Sequence, residues 1–350
     1  MADSVSNRKQ VAELAGVSEA TVSRVLNGIG PMKESTRQRV LAAAKQLNYE
    51  LNAIASCFAR GRSGNIGVVL PHVPKVHLFS TYYFSEILSG IGEAVRAKEY
   101  GLLLLFRDPD EVYDYASLFR TQRIDACIVL GASAIASERE GIAKMAGQEL
   151  PFCVMDQRFQ DMDASTVAAD HVQGSYDAVK HLLEQGFRRI GFLNGAPQYS
   201  NSVDRMAGYM RALREAGIEI DESIIYQGNY SRKSGWMAAD AVHADLGKLD
   251  ALFVANDRMA IGLIQGLRDK GCQVPDELPI VGYDDSDAAS MTEPQLTTVK
   301  VPFYEMGKLA VERLLERLSD PDGTKVRFNE TLQTQFIVRK SSGMNRSENR

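Results

Sequence analysis

The sequence predicts a small all-α head of the helix-turn-helix type, followed by an α/β core of two subdomains with parallel sheets. The first 50 residues carry apolar side chains at helical spacing. From residue 65 onwards, apolar strands such as NIGVVL, ACIVLG and ALFVAND alternate with amphipathic helical patterns, which is typical of parallel sheets covered on both faces. These units are too numerous for one doubly wound sheet, so we expect the core to divide in two.

Composition limits the classes of protein to which the chain can belong. No apolar run approaches the roughly 20 residues that a membrane helix needs, and the N-terminal MADSVSNRKQ lacks the apolar region of a secretory signal. The four cysteines, Cys57, Cys127, Cys153 and Cys272, are far apart and form no C-x-x-C pair, which predicts neither a zinc site nor disulfides. We therefore expect a cytoplasmic protein without a membrane span, a metal or a cofactor.

Charge is distributed unevenly along the chain. The formal net charge is −5, but residues 1–62 carry net +4 and the remainder −9. A basic head on an acidic body suits a phosphate-binding module that is attached to a domain with another task.

Residues 11–28, VAELAGVSEATVSRVLNG, predict two short helices joined by a tight turn. Val11, Leu14 and Ala15 form one apolar face, and Gly16 ends that helix where a left-handed residue is needed. Ser18 is placed to cap the second helix. A third helix is predicted within TRQRVLAAAKQLNY, and NAIASCFARGRSGN predicts a short helix that ends in a linker.

The second helix predicts a surface that can read DNA bases. One side is apolar, whereas the opposite side carries Ala20, Ser23, Arg24 and Asn27. Bulky side chains there would hold the helix out of the major groove, and arginine can donate two hydrogen bonds to guanine. The pattern favours DNA binding, with a helical hairpin of an all-α subdomain as the alternative.

Polar side chains mark the predicted strand ends of the core. Asp156 ends FCVMD, Asn256 and Asp257 end ALFVAND, and Asp284 and Asp285 end IVGYDD. Ligands of open α/β sheets bind at the carboxyl ends of strands, so paired subdomains predict a cleft between those ends.

Three further side chains suggest what this cleft binds. Arg205 lies at a predicted helix start, where a cation opposes the helix dipole and needs an anionic or hydroxyl-rich partner. Tyr230 and Phe303 can stack on a ring. The set favours a sugar or nucleoside site, with helix caps and ion pairs as the alternative. No G-x-G-x-x-G, P-loop, G-x-S-x-G or H-E-x-x-H motif occurs, so an enzyme is not predicted.

The chain resembles the LacI/GalR family of bacterial transcription repressors over roughly residues 7–342. The resemblance rests on VAELAGVSEATVSRVLNG, TRQRVLAAAKQLNY, HLLEQGFRRIGFLNG, LFVANDRMAIGLIQGLRDKG, PIVGYDD and QLTTVKVPFYEMGKLAVERLL, in that order. It implies a homodimer that binds a near-palindromic double-stranded operator, a hinge helix in the minor groove, and a core similar to the periplasmic sugar-binding proteins. A small-molecule effector in the cleft, a sugar or sugar derivative, is expected to change operator affinity.

Two alternatives stay open within this family. One is a purine- or nucleoside-responsive repressor, and the other is a catabolite-control type regulator with a phosphoprotein as co-effector. A stand-alone solute-binding protein is disfavoured because it would carry a secretory signal and no basic head.

The predicted domain organisation follows the same motifs. It comprises a helix-turn-helix domain at 1–50, a hinge helix and linker at 51–64, a core at 65–342 and a tail at 343–350. Within the core, subdomain one is expected at about 65–163 and 297–326, and subdomain two at about 164–296 and 327–342.

The resemblance assigns two sets of site residues. Those expected to contact DNA are Ser18, Glu19, Ala20, Thr21, Ser23, Arg24, Asn27, Asn52, Ala55 and Phe58. Among them Arg24 matches the base-reading arginine, Glu19 and Ala20 fill the two specificity positions, and Phe58 stands where a leucine usually wedges between base pairs. Those expected to contact the effector are Asp156, Arg205, Tyr230, Asn256, Asp284 and Phe303.

Two departures from the family pattern affect these expectations. The stretch HVPKVHLFSTY, residues 72–82, is longer than the usual loop of the cleft wall, so effector identity is not inherited. Lys33 replaces the serine that usually caps the third helix, and a weaker helix start is expected.

Overall fold

The computed structural model of the protein describes residues 7–49, 62–74, 77–320 and 327–343. Two compact units make up the chain, namely residues 1–65 with 117–125 and residues 66–116 with 126–350. Most of the predicted hinge and linker, and all but the first residue of the predicted tail, lie outside the described residues.

The described part of the head contains three helices, α1 (Arg8–Ala15), α2 (Glu19–Leu26) and α3 (Glu34–Gln46). Gly16 ends α1 in the left-handed conformation, with φ 64° and ψ 44°. Ser18 caps α2, since its hydroxyl accepts a hydrogen bond from the Thr21 amide at 3.2 Å. The predicted turn and cap are therefore confirmed.

These helices pack around a small apolar core. Val11, Val22 and Val40, one from each helix, are fully buried at its centre. Lys33 precedes α3 and makes no side-chain cap bond. The start of α3 therefore lacks the roughly 1 kcal/mol that a serine cap contributes.

The first sheet of the core has six strands, β1 (Asn65–Pro71), β2 (Gly101–Arg107), β3 (Ala126–Leu130), β4 (Phe152–Met155), β5 (Ser165–Ala169) and β11 (Asn329–Leu332). Their order is β11-β5-β4-β3-β1-β2. The pairs β1–β3, β3–β4, β4–β5 and β5–β11 are parallel. Apart from the first residue of β1, strands β1, β3, β4 and β5 are buried along their whole length, as expected for a sheet covered on both faces.

The second sheet has four parallel strands, β6 (Ile190–Asn194), β7 (Ile225–Gln227), β8 (Ala251–Val254) and β9 (Ile280–Val281). Their order is β7-β6-β8-β9. A small antiparallel pair is formed by β10 (Thr298–Lys300) and β12 (Gln335–Ile337). The prediction of two parallel sheets is thus confirmed.

Helices connect the strands of both sheets. In chain order the α-helices are Tyr82–Ala97, Tyr115–Arg120, Ala136–Gly147, His171–Glu184, Ser200–Glu215, Arg232–Ala244, Asp257–Asp269, Asp287–Met291 and Phe303–Leu318. Short 3₁₀ turns lie at Leu78–Ser80, Glu222–Ile224 and Leu246–Lys248.

Sheet membership differs from the predicted subdomain boundaries at two places. The polar stretch DQRFQDMDAS suggests a boundary near residue 163, but β5 follows it and still pairs with β4 in the first sheet. Strand β11 lies in the segment 327–342, which was expected in subdomain two, yet it pairs with β5. The polar stretch is a surface loop between neighbouring strands, and such loops lose apolarity without any change of subdomain.

The described chain passes between the two sheets three times. After β5, the helix His171–Glu184 packs near β8, β10 and β12. After β10, the helix Phe303–Leu318 packs on β3, β4 and β5. The third passage leads from β11 in the first sheet to β12, which pairs with β10, and a bridge between Val281 and Thr297 links the start of the β10 segment to β9 of the second sheet.

The helix Tyr82–Ala97 packs unusually close to the helix Phe303–Leu318. A Cβ atom on Gly90 would collide with the carbonyl oxygen of Tyr304, and one on Gly307 would collide with that of Ile87. The two backbones approach each other at glycines because no side chain separates them there.

We predict that Gly90→Ala destabilises the core by about 1–3 kcal/mol, because the added methyl overpacks this contact. Gly92→Ala is the matched control, since a Cβ on Gly92 of the same helix meets nothing within 4 Å. That control should gain roughly 0.5–1 kcal/mol from helix propensity. Urea denaturation of both variants measures the difference, and equal effects would contradict the close packing.

Candidate functional sites

The outward face of α2 carries the residues that the sequence predicted. Glu19, Ala20 and Arg24 are exposed, and Ser23 and Asn27 are partly exposed. Asn27 Nδ2 donates to the backbone carbonyl of Ser23 at 2.8 Å and to the Ser23 hydroxyl at 3.3 Å, so the Asn27 side chain is held against α2. Arg24 makes no ion pair within the described part of the chain, so its guanidinium is available to an acceptor outside the protein.

The remaining residues of the predicted DNA surface include two that already have partners within the head. Ser18 is committed to its cap, with Thr21 as its partner. Glu19 Oε2 lies 3.1 Å from Arg8 Nε in an exposed ion pair, which adds little stability. Asn52, Ala55 and Phe58 lie outside the described residues.

A cleft of about 360 Å³ opens at the carboxyl ends of the strands of both sheets. Five of the six predicted effector residues line it, namely Asp156, Arg205, Tyr230, Asn256 and Asp284. They follow β4, β6, β7, β8 and β9 respectively. The strand-end argument thus brings together side chains that are far apart in sequence.

Arg205 is a buried cation in this cleft, with 3% of its surface exposed. Its Nη1 donates to Tyr230 Oη at 3.1 Å, and its Cζ lies 4.3 Å from the centre of the Tyr283 ring. Its Nε has no hydrogen-bond partner among the described residues. Burial by itself lowers the pKa of Arg205, but Tyr230, Tyr283 and Asp284 raise it above its usual value, so the guanidinium stays charged.

Asp284 faces Arg205, and its carboxylate can still accept hydrogen bonds. Its Oδ1 lies 3.9 Å from Arg205 Nη2, and its two carboxylate oxygens accept no hydrogen bond within the described part of the chain. Burial raises the pKa of Asp284 well above its usual value, although Arg205 opposes this. A ligand hydroxyl between the two side chains would satisfy both.

Asp156 is fully engaged by the protein itself. Its Oδ1 lies 2.8 Å from His171 Nε2, and its Oδ2 accepts from Asn201 Nδ2 at 2.9 Å. Asn201 Oδ1 in turn accepts from Tyr230 Oη at 2.8 Å. Burial raises the pKa of Asp156, but His171 and Asn201 outweigh it and lower the pKa below its usual value. Asp156 therefore orients Asn201 and His171.

Three residues that line this cleft have left-handed backbone. Asp156, Tyr230 and Asp284 have φ values of 54°, 67° and 115°, in the region that side chains avoid. Strained residues of this kind persist only where surrounding contacts fix them, and they cluster at binding sites.

The helix-cap interpretation applies to some of the strand-end residues. Asn256 Oδ1 accepts from the Met259 amide at 2.9 Å, while its Nδ2 donates to Tyr230 O at 3.2 Å. Asp257 is fully buried, where it accepts from Ser286 and Thr298 and does not face the cleft. Asn256 therefore combines a cap with a place on the cleft wall.

Phe303 does not line the cleft, which corrects the sequence prediction. It is 2% exposed, because Tyr82 and Tyr83 pack edge-on against its ring with centroids 6.1 and 5.2 Å away. Tyr82, Tyr83 and Phe84 form the aromatic wall in its place. Three consecutive aromatics, which begin at the last residue of the long loop, are the sequence signal that could have identified them.

Other residues of the cleft were also missed. Asn201, Arg258 and Thr81 line it, and His171 and Tyr283 support it from behind. Within the described residues, no group of three or more His, Cys, Asp or Glu side chains is arranged to hold a metal ion. None of the described helices combines the length and the apolar character needed to cross a membrane.

Comparisons with known proteins identify the two kinds of domain in the chain. Residues 9–52 match the family described as "Bacterial regulatory proteins, lacI family", and residues 179–342 match a "Periplasmic binding protein-like domain". The chain is 33% identical to the HTH-type transcriptional repressor PurR of Vibrio atlanticus (strain LGP32), over 91% of this chain and 93% of that protein.

Solved structures give the same result. The lac repressor dimer bound to operator and the anti-inducer ONPF has a TM-score of 0.81 at 27% identity, covering 97% of this chain and 100% of that one. The transcriptional regulator CelR in complex with cellobiose has a TM-score of 0.73 at 28% identity, covering 96% and 99%. The chain therefore belongs to the LacI family of bacterial regulatory proteins, and it is a DNA-binding transcriptional regulator, not an enzyme.

Proposed function

We propose that the protein is a cytoplasmic repressor that binds a near-palindromic operator as a homodimer, and that a small carbohydrate in the cleft changes its operator affinity. The observation that carries this proposal is the buried, charged Arg205 beside the available carboxylate of Asp284. Such a pair has hydrogen-bonding capacity that a hydroxyl-rich ligand can use.

The outward face of α2 supports sequence-specific DNA binding. Arg24 is exposed and makes no ion pair within the described residues, and its neighbours on that face are short. A helix of this kind can enter the major groove, where arginine discriminates guanine by two hydrogen bonds. Glu19 at a specificity position can accept from a cytosine amino group.

Exposed apolar side chains support a homodimer. Leu102, Leu104 and Phe106 alternate along the edge strand β2 and are 38%, 38% and 47% exposed. Phe79 contacts Phe106 edge-on at 6.2 Å. Apolar patches of this kind, on a sheet edge that has no partner within the described chain, are typical of interaction surfaces.

The aromatic wall supports a purine or nucleoside as the second candidate effector. Tyr83 and Phe84 pack edge-on at 5.0 Å, and Tyr230 borders the same cleft. A planar base can stack on such rings. No described feature favours the phosphoprotein co-effector that was predicted as a further alternative.

A thermal-shift screen of sugars, nucleosides and purines distinguishes these effectors. A ligand present at about 100 times its Kd should stabilise the folded protein by about 2.7 kcal/mol. The operator itself can be recovered by in vitro selection from random duplex DNA. Failure to select any sequence would contradict operator binding.

Arg24→Ala is expected to cost about 1–3 kcal/mol of binding to the selected duplex per half-site, because a base-specific contact is lost. Binding to random DNA should hardly change. Arg37→Ala, which removes an exposed arginine of α3, is the control and should weaken both kinds of binding equally or not at all. Gel-shift titrations measure this, and equal losses for Arg24→Ala on both DNAs would exclude base reading.

Asp284→Asn and Arg205→Ala should leave operator affinity without effector within about tenfold of the parent, since that affinity belongs to the head. The response to the effector should be lost, because such couplings are worth about 1–3 kcal/mol and depend on differential ligand contacts. Arg214→Ala, an exposed change on the same helix as Arg205, is the control. A variant that responds at the parent's effector concentration would show that Arg205 and Asp284 do not hold the ligand.

A further inference from the structure

Arg258 brings a second guanidinium to the cleft. It follows Asp257 at the start of the helix Asp257–Asp269, is half-buried and lines the cleft wall. Its Nη1 donates to Thr81 Oγ1 at 3.1 Å. This hydrogen bond uses one of the five N–H groups of the side chain.

The charge of Arg258 is not neutralised by the protein. No carboxylate of the described residues lies within ion-pair distance of it. Its pKa is lowered by burial, and Arg232 lowers it further, while Asp284 acts in the opposite direction. Arg232 itself donates to the amide oxygen of Gln265 at 2.8 Å. Arg232 is therefore a second cation, and it adds to the positive potential around Arg258 instead of cancelling it.

The two carboxylates of the cleft are directed at groups other than Arg258. Both oxygens of Asp156 are committed to His171 and Asn201. Asp284 lies beside Arg205, with its Oδ1 3.9 Å from Arg205 Nη2.

Helix geometry adds to the positive potential. The cap residues Thr81, Ser231 and Asn256 all line the cleft. The positive ends of the helices that they begin therefore face the ligand space. Two guanidinium groups and three helix starts in a half-closed cleft favour a negative ligand.

We infer that the effector carries an anionic group, a carboxylate or a phosphate ester, which Arg258 binds while the hydroxyl groups of the ligand meet Arg205 and Asp284. This inference rests on the proposed effector cleft and narrows its ligand to acidic sugars. Guanidinium groups bind carboxylates and phosphates through paired N–H donors. Arg258 has donors left for such a pair after its bond to Thr81.

The hydrogen bond to Thr81 suggests a different role for Arg258, namely that it joins the two walls of the cleft. The test must distinguish this role from anion binding. Thr81 precedes the helix Tyr82–Ala97 on the side of the first sheet, whereas Arg258 follows β8 of the second sheet. The bond therefore joins the two walls of the cleft. Thr81→Val removes that bond and leaves the charge, while Arg258→Gln removes the charge.

The experiment compares matched neutral and acidic sugars on the full-length protein by calorimetric titration. The probes are glucose, glucuronate and glucose 6-phosphate, and galactose, galacturonate and galactose 6-phosphate. At least one acidic probe should bind about tenfold or more tightly than its neutral parent, which is the effect of one hydrogen bond to a charged group. The carboxylate and phosphate arms identify which anion is preferred.

The variants assign that preference to Arg258. Arg258→Gln should bring acidic and neutral probes to within about twofold of each other, Arg258→Lys should retain part of the preference, and Thr81→Val should retain nearly all of it. Arg232→Gln is the matched control, since it removes a nearby charge that does not line the cleft. It should change the preference for acidic probes only slightly, as expected for an exposed charge.

Three outcomes would overturn the inference. If neutral sugars bind as tightly as acidic ones, the proposed effector cleft is supported, but the inference that the effector carries an anionic group is wrong. If Thr81→Val has the same effect as Arg258→Gln, Arg258 joins the cleft walls and does not bind an anion. If none of the six probes binds, both the anionic ligand and the proposed carbohydrate effector are contradicted.

Discussion

Keeping a guanidinium ion out of water in the middle of the cleft is the constraint around which the core is arranged. Removing such an ion from water costs several kcal/mol unless partners compensate. For Arg205, which follows β6, these partners are the Tyr230 hydroxyl after β7 and the Tyr283 ring and Asp284 carboxylate after β9. The segments that follow β6, β7 and β9 must therefore meet at one point. The left-handed backbone at Tyr230 and Asp284 is the strain that this arrangement requires.

The two sheets contribute different chemistry to the cleft. The first supplies Tyr82, Tyr83 and Phe84, and the second supplies the charged and hydrogen-bonding groups. Asp156 and Thr81 are exceptions on the side of the first sheet. Asp156 binds Asn201, which lies beyond β6 of the second sheet, and Thr81 accepts from Arg258, which lies beyond β8. Part of the contact between the walls is thus made by the protein itself.

The sequence predicted the features that depend on local pattern. Gly16, the Ser18 cap and the five strand-end residues of the cleft follow from turn chemistry, capping and the direction of parallel strands. Features that depend on tertiary packing were not accessible. Phe303 is covered because two tyrosines from a distant helix pack on it, and β5 pairs within the first sheet although the polar loop before it resembles a boundary. The partnership of Asp156 with His171 requires knowledge of where the chain crosses over.

The three passages of the described chain between the two sheets restrict how the walls of the cleft can move. A single connection would leave the subdomains free to twist, slide and separate independently. Three connections remove most of these degrees of freedom and favour bending near the connections as the soft motion. A ligand that draws the walls together close to the connections then produces the largest displacements at the edges of the sheets that lie farthest from them. Binding energy is thereby directed into one collective movement of the core.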